Sequence, residues 1–237
     1  MLLAFVDTPQ RHERLTIFPV LASDQPQLSY LLLADALRRG VLILSRNGSD
    51  EPPHFIAQNL GSQPVLILDC ETLRDVANDH STNQSVLVGP GSVTRVPVSC
   101  HESGKWSCED LELRFQDHFG VFPLLAGQVG ILAFLGRQLL GMDALGSPEL
   151  YTPLHRRLLT GHLITALKAG KMAEAESPAD EADISVLAKA LEEARRSFAS
   201  CPGSGEYCTL HGQITGGELR HNGHLVHLSV FPNGAAA

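Results

Sequence analysis

The chain has 237 residues, of which 43% are hydrophobic and 19% charged, and this composition excludes disordered and fibrous proteins. Asp and Glu outnumber Lys and Arg by 26 to 18, so the formal net charge is -8. An acidic chain lacks the positive surface that binds a phosphate backbone, and we predict no nucleic-acid partner. The most apolar run, residues 121–136, is interrupted by proline and glycine and predicts no membrane span.

Cysteine usage and the N-terminal segment both point to the cytoplasm. The chain has five cysteines, an odd number in a sequence too long to need disulfides for stability, which is typical of free thiols in a reducing compartment. The apolar residues after Met1 are preceded by no basic segment and followed at once by Asp7, unlike a signal peptide. We therefore predict a cytoplasmic protein.

Short apolar runs separated by turn residues predict a β-rich first half. One helix is expected between the first two strands, because Tyr30, Leu33 and Leu37 fall on one face and Gly40 is placed to end it. The predicted strands are 15–19, 41–44, 54–57, 65–68, 85–88 and 93–98. The last three are expected to pack as one β unit that buries Val65, Ile67, Val86, Val88, Val93 and Val96.

The second half of the sequence predicts helices as well as strands. After a strand at 130–135, Thr152 and Pro153 are expected to begin a helix that ends at Gly170. A second helix, opened by Ser177 and Pro178, is expected to carry an apolar stripe at Ile184, Leu187, Leu191 and Phe198, with Glu192 and Arg196 paired. Strands at 207–214 and 224–230 then predict a terminal hairpin.

These elements predict an α+β fold in a single domain over residues 1–237. The expected architecture is an N-terminal β-sandwich-like unit with one early helix, over about residues 1–140. It is followed by C-terminal helices plus a β hairpin, over about residues 141–233.

Motif analysis predicts no metal and no cofactor. The run Pro-Gly-Ser-Gly at 202–205 is expected to end a helix, which is the wrong context for a phosphate-binding loop. The 11 histidines and five cysteines show no recognised zinc spacing. His224 and His227 lie three apart on a predicted strand, so they point to opposite faces and do not converge.

The segment from Asp69 to Trp106 is the richest in polar groups. Glu71 follows a predicted buried strand, and Glu102, Lys105 and Trp106 follow another. Side chains at strand ends can converge in a pocket, where two carboxylates could divide acid and base roles. The alternative is an exposed Glu102–Lys105 pair with Trp106 covering the core. A nucleophilic Cys100 is disfavoured, because the adjacent His101 points to the other face of a strand.

Three strings of residues resemble the ARPP-1 family, the ADP-ribosylglycohydrolase and rhodanese-phosphatase superfamily associated protein domain. They are PVLILDCE at 64–71, NQSVLVGPG at 83–91 and VPVSCHESGKW at 96–106. Weaker matches extend the resemblance over nearly the whole chain. The chain resembles a divergent member: residues 75–78 and His80 replace a run with lysine and a following arginine, and Cys70 replaces a glycine.

The resemblance implies a site at the matched polar positions. Glu71 and Glu102 would be the catalytic pair, and the ligand-binding residues would be Asn83, Lys105, Trp106 and Cys100. Three functions stay open: an accessory or ligand-binding protein of NAD or ADP-ribose metabolism, a hydrolase of a nucleotide or ADP-ribose derivative, or an interaction module without a small-molecule site. The implied partner is a nucleotide-type small molecule. Loss of the family's lysine and arginine favours the first and third.

Overall fold

The computed structural model describes residues 3–5, 8–22, 29–46, 52–75, 79–101, 115–169, 177–199 and 201–234. Strands account for 46% and helices for 23% of the structure, which contains three β-sheets. The protein is therefore mostly β, and the predicted α+β class with C-terminal helices is wrong. The main reason is that the C-terminal half contributes six strands to one large sheet, where the sequence predicted a strand, helices and a hairpin.

The large sheet is entirely antiparallel and has nine strands. Its order is β1-β3-β12-β13-β17-β16-β15-β14, with β2 also paired to β3. The strands are β1 (Leu3–Phe5), β2 (Gln10–His12), β3 (Leu15–Ala22), β12 (Gln128–Leu135), β13 (Gln138–Leu145), β14 (Arg195–Ala199), β15 (Glu206–His211), β16 (Ile214–His221) and β17 (His224–Pro232). Sequence-distant strands therefore meet at the centre of this sheet, where β13 pairs with β17.

Two smaller sheets come from the intervening residues. The three-stranded sheet has the order β10-β7-β4, and the five-stranded sheet has the order β5-β6-β11-β9-β8. The strands are β4 (Leu31–Leu32), β5 (Leu42–Ser45), β6 (His54–Asn59), β7 (Val65–Ile67), β8 (Thr72–Arg74), β9 (Asp79–Thr82), β10 (Val86–Val88) and β11 (Val93–His101). Only β4 and β7 are parallel among the described pairs.

The helices lie outside the sheets. They are α1 (Leu33–Arg38), α2 (Gln116–Phe119), α3 (Pro148–Tyr151), α4 (His155–Ala169) and α5 (Glu181–Glu193). A 3₁₀ turn, Thr152–Leu154, joins α3 to α4. Ser147 caps α3, so helical structure begins at Pro148 and not at the predicted Thr152. Of the described helices, none combines the length and apolar character that a bilayer crossing requires.

The three-stranded sheet is the central layer of the molecule. Leu66 and Leu87 pack with the large sheet and α4, whereas Val65 and Val86 pack with the five-stranded sheet and α1. A strand that is buried on both faces needs apolar residues at consecutive positions, which explains the unbroken run Val65–Leu68. Helix α5 covers the opposite face of the large sheet through Leu187 and Ala190.

Burial confirms most of the predicted β core. Val65, Ile67, Val86, Val88 and Val96 are fully buried, but Val93 is 63% exposed. The inward residues of β11 are Thr94, Val96 and Val98, and a period-two strand cannot turn Val93 and Val96 to the same face. The predicted single β unit is two sheets in contact, since β7 and β10 belong to the central sheet and β11 to the five-stranded one.

The second predicted helix ends earlier than its apolar stripe suggests. Ala194 has an extended conformation, and Arg195–Ala199 forms β14 against β15. Phe198 is 72% exposed, and Arg196 lies near Glu218 and not beside Glu192. Backbone pairing with β15 overrides the helical periodicity here, which extends the predicted hairpin into a four-stranded meander.

Candidate functional site

A tight turn follows the central strand β7 and carries the first polar residues of the site. Cys70 has a positive φ of 54°, which reverses the chain between Asp69 and Glu71. Buried Thr82 fixes this turn, because its Oγ1 donates to the carbonyl oxygen of Leu68 at 2.5 Å and accepts from the Glu71 N–H at 2.8 Å. The turn thus holds Asp69 at the edge of the central layer.

Asp143 and His227 come from neighbouring strands of the large sheet. Asp143 on β13 lies opposite Ser229 on β17, so His227 is its diagonal neighbour on the same face. The Nε2 atom of His227 is 3.8 Å from Oδ1 of Asp143. His162 approaches from α4 and places its Nε2 2.9 Å from Oδ2 of the same carboxylate. Both histidines are buried, so Asp143 lies between two imidazole rings.

The other nitrogen of His227 faces the end of the central sheet. His227 Nδ1 is 2.8 Å from Ser85 Oγ and 3.7 Å from Asp69 Oδ1. Ser85 Oγ also accepts the Asp69 backbone N–H at 3.0 Å and lies 3.5 Å from its carboxylate. One ring therefore lies between the Asp143 carboxylate on the large sheet and the Asp69 carboxylate in the turn after β7.

The two carboxylates differ in their electrostatic environments. Burial raises the pKa of Asp69. Burial acts in the same direction on Asp143, but its contacts with His162 and His227 outweigh that effect and hold the pKa of Asp143 well below its usual range. Burial acts to lower the pKa of His227, yet attraction to Asp69 and Asp143 raises it overall. Asp143 is therefore ionised at neutral pH, whereas ionisation of Asp69 is penalised.

The two histidines lie close to Asp143, but the nitrogens that face it do not form hydrogen bonds. Within the described part of the chain, Nε2 of His162 and Nε2 of His227 have no hydrogen-bond partner, although both lie near Asp143. The 2.9 Å approach of His162 is thus an ion-pair distance without hydrogen-bond alignment. Buried nitrogens without a hydrogen-bond partner are uncommon in native proteins, so these two require a structural or functional explanation.

Asp69, Asp143 and His162 line a pocket of about 310 Å³, which we call the Asp143 pocket. Its polar and aromatic lining includes Asp69, Asp143, Arg157, His162, Thr165 and Phe231. The pocket lies between α4, the β13–β17 face and the turn after β7. Its volume falls at the lower end of the range for small-molecule pockets, roughly 300–1,000 Å³.

Glu71, a site residue predicted from the sequence, holds Arg157 at this pocket. Its Nη1 donates to Oε1 of Glu71 at 2.5 Å, and its Nη2 donates to the carbonyl oxygen of Cys70 at 3.4 Å. Oε2 of Glu71 accepts the N–H of Leu68 at 3.1 Å. Both carboxylate oxygens of Glu71 are therefore engaged, and in this arrangement the residue orients Arg157.

The other sequence-predicted site residues lie elsewhere or outside the described chain. Asn83 is exposed, and its Oδ1 accepts from Ser99 Oγ at 2.8 Å, away from the pocket lining. Cys100 pairs through its backbone with His80 on β9, and its side chain is outside the described atoms. Glu102, Lys105 and Trp106 lie outside the described residues, so their roles, and the Glu71–Glu102 pair, stay predictions.

The titratable side chains of the Asp143 pocket suit proton transfer, whereas the Cys70 thiol and the neighbouring Ser85 hydroxyl are poorly suited as nucleophiles. Ser85 is only 1% exposed and accepts a backbone N–H. Cys70 is exposed, yet partial desolvation and the nearby Asp69 raise the pKa of its thiol to about 11, which leaves little thiolate at neutral pH. Among the residues that the structure describes, no group of three or more His, Cys, Asp and Glu is arranged to hold a metal ion.

Sequence reasoning identified the polar turn at Asp69 but not its partners. Asp143 and His162 were not predicted, and His227 was considered only as a metal ligand. A usable signal exists for Asp143, which is the one charged residue of the strand Gln138–Leu145. His227 is also the one titratable residue of the mostly apolar run Leu225–Val230.

The fold and the site define a three-sheet, mostly β protein with a small pocket, lined by aspartate, histidine and arginine side chains, at the end of its central sheet. The family model described as ARPP-1, the ARG and Rhodanese-Phosphatase-superfamily-associated Protein domain, matches residues 5–123 and 108–231. Together these matches span nearly the whole chain, so the protein belongs to that family and the predicted resemblance is confirmed. No curated protein and no solved structure shows a significant match.

Proposed function

We propose that this protein binds a small nucleotide-type molecule in the Asp143 pocket, as a cytoplasmic accessory protein linked to NAD or ADP-ribose metabolism. The observation that carries the proposal is the convergence of charged side chains from three elements on one pocket. Asp69 comes from the turn after β7, Asp143 from β13, and Arg157 and His162 from α4. The family description, which associates the domain with ARG and the rhodanese-phosphatase superfamily, supports the metabolic link.

The lining matches the mixed character of such a ligand. Arg157 offers a planar cation for a phosphate or carboxylate group, and Glu71 sets its orientation. Carboxylates are strong acceptors for sugar hydroxyls, and Asp69 and Asp143 both reach the pocket. Leu68 and Phe231 provide apolar surface. Arg157 also supplies a cation to a chain that lacks the family's lysine and arginine near residues 75–80.

Thermal unfolding in the presence of NAD, ADP-ribose and simple nucleotides tests this proposal. A ligand at 100 times its Kd stabilises the folded state by about 2.7 kcal/mol. Thr165 is exposed and lines the pocket, so Thr165→Trp places a large ring in the opening while Asp143 and His227 keep their native side chains. The matched control is Ser185→Trp on the exposed face of α5.

We expect stabilisation of the wild type and of Ser185→Trp by at least one compound, and its loss in Thr165→Trp. Stabilisation that survives in Thr165→Trp would locate the ligand elsewhere and contradict the proposed pocket. If no compound in the panel stabilises the wild type, the proposed ligand class is wrong and the interaction-module interpretation gains support.

A further inference from the structure

The Asp143 pocket is too small to enclose a whole ADP-ribose molecule. Its volume of about 310 Å³ is at the lower end of the range for pockets that bury one drug-sized ligand. ADP-ribose consists of two sugar-containing halves that are joined by a diphosphate, so only one half can enter. The chemistry of the lining therefore determines which half is recognised and which half extends into solvent.

The charged side chains of the lining lie at different depths. The Asp143 side chain is 10% exposed, whereas those of Asp69 and Arg157 are 25% and 27% exposed. Glu71 and the carbonyl oxygen of Cys70 hold the guanidinium of Arg157 in place by accepting from Nη1 and Nη2. A ligand in this pocket therefore has its inner end at Asp143, and the cation lies nearer to solvent.

The inner end of the pocket presents hydrogen-bond acceptors. Nε2 of His162 lies 2.9 Å from one oxygen of Asp143, and Nε2 of His227 lies 3.8 Å from the other. Both nitrogens are buried, and the two histidine side chains are only 4% and 2% exposed. A ligand therefore contacts the carboxylate of Asp143 and not the nitrogens that flank it.

Acceptors at the inner end favour a sugar over a base or a phosphate. An ionised carboxylate only accepts hydrogen bonds, and each hydroxyl of a ribose can donate one. The edges of adenine carry ring nitrogens that accept, beside a single amino group that donates. A polar group that is buried without a partner lowers affinity, so an adenine edge is a poor match. A phosphate is disfavoured there because it has the same charge as the carboxylate.

We propose that the Asp143 pocket binds a terminal ribose that carries a 5-phosphate, with a sugar hydroxyl donating to Asp143 and the phosphate at Arg157. Asp69 lines the same pocket from the turn after β7 and accepts from a second hydroxyl. This inference rests on the proposed function and goes beyond it, because it identifies the half of an ADP-ribose-type ligand that is recognised. The adenosine half then lies outside the pocket and is not required for binding.

Isothermal titration calorimetry with ribose 5-phosphate, ADP-ribose and ADP tests which half is recognised. ADP contains the adenosine and the diphosphate but lacks the terminal ribose. We expect ribose 5-phosphate and ADP-ribose to bind with similar Kd values. ADP should bind about 10–100-fold more weakly, which is the effect of losing one hydrogen bond to a charged group.

Two variants separate the contact with the sugar from the contact with the phosphate. Asp143→Asn should weaken binding of ribose 5-phosphate and of unphosphorylated ribose alike, by about 10–100-fold. Arg157→Gln should weaken binding of ribose 5-phosphate but leave that of ribose unchanged, because only the phosphate contacts the guanidinium. Ligand-observed NMR measures the weak binding of ribose. The control Asp35→Asn, on helix α1 and outside the pocket lining, should change neither.

The outcomes distinguish this inference from the proposed function. If ADP binds as tightly as ADP-ribose and ribose 5-phosphate does not bind, the adenosine half is recognised. The inference is then overturned, and the nucleotide-binding proposal stands. If ribose 5-phosphate binds equally well to Thr165→Trp, it does not occupy this pocket and the inference is again overturned. If none of the compounds binds the wild type, both proposals fail.

The decisive comparison does not depend on the stability of any variant. Asp143 and Arg157 both have contacts within the fold, so thermal unfolding is used to check that their variants are folded. The comparison of ribose 5-phosphate with ADP uses the wild-type protein alone, and it supports or overturns the inference even where a variant does not fold.

Discussion

At the scale of single residues, His227 lies next to three other polar residues of the site. Its ring separates Asp69 from Asp143, and Ser85 hydrogen-bonds to it from the central sheet. A protonated ring donates from both nitrogens, so Ser85 can accept from Nδ1–H and turn its own hydroxyl towards Asp69. The protonation of His227 thus couples the large sheet to the central sheet.

This coupling predicts a pH dependence of stability. Asp69 and Asp143 raise the pKa of His227, against the effect of burial and of Arg157. A group whose folded-state pKa is raised stabilises the fold fully below its unfolded value, about 6.5, and that stability is lost as pH rises through the folded-state value. The free-energy difference between wild type and His227→Gln should therefore be largest near pH 5–6 and decrease at higher pH. The polar groups that act on His227 are Asp69, Asp143, Arg157 and Ser85.

Urea denaturation at a series of pH values measures this difference, and the Nε2 chemical shift of His227 reports its titration directly. The control is His224→Gln, because His224 is exposed at the start of β17. A difference that grows as pH rises above 6.5, or a His227 ring that titrates below its ordinary value, would contradict the prediction.

At the scale of elements, two glycines show how local geometry limits substitution. Gly161 lies in α4 with open space where a Cβ would project. Gly203 lies in the loop after β14, where a Cβ would overlap the carbonyl oxygen of Leu87, while the neighbouring Ser204 N–H donates to that same oxygen. The predicted role of residues 202–205 as a helix end is wrong, because the loop follows a strand and covers the edge of β10.

We expect substitution by alanine to have opposite effects on stability at these two positions. Gly161→Ala should stabilise the protein by about 0.5–1 kcal/mol, because alanine loses less backbone entropy in a helix. Gly203→Ala should destabilise it by about 1–3 kcal/mol, because the added methyl group forces the loop away from β10. Each variant serves as the control for the other in urea denaturation. Equal effects of the same sign would contradict this account of the two positions.

Elements with strong local signals could be predicted, whereas those set by distant pairing could not. The buried strands at 65–68 and 86–88 follow from their apolar runs, and the helix over 155–169 follows from its periodicity. By contrast, Arg195–Ala199 continues a helical pattern and becomes a strand only because β15 is beside it. Single-sequence patterns contain no information on that partner.

At the scale of the whole molecule, the site likewise depends on contacts between distant residues, which sequence patterns do not reveal. Asp69 could be identified because it follows a recognisable strand. The pairing of β13 with β17 and the packing of α4 bring three residues to Asp69, namely Asp143, His162 and His227. Asp69 and His227 are thereby placed together although they are far apart in the sequence. Family resemblance directed attention to residues 71–106, of which Glu71 reaches the pocket indirectly through Arg157.

The packing of the central sheet leads to a prediction of how the molecule unfolds. Leu66 is fully buried in contact with the large sheet and α4, whereas its neighbours Val65 and Ile67 pack with the five-stranded sheet. The three layers therefore share one strand, and loss of its packing weakens both cores. We therefore expect a single cooperative unfolding transition, which is also what the prediction of one domain over residues 1–237 requires.

Leu66→Ala tests this shared role. Removing a buried leucine side chain costs about 2–5 kcal/mol, and the cost should be at the upper end because the strand is enclosed on both faces. Leu60→Ala is the matched control, since Leu60 is 56% exposed and its loss should change stability by less than about 0.5 kcal/mol. Far-ultraviolet circular dichroism and tyrosine fluorescence should give coincident urea transitions in the wild type and in Leu66→Ala. Two separated transitions, or a loss confined to one probe, would show that the large sheet and the smaller sheets unfold independently and that the central strand does not couple them.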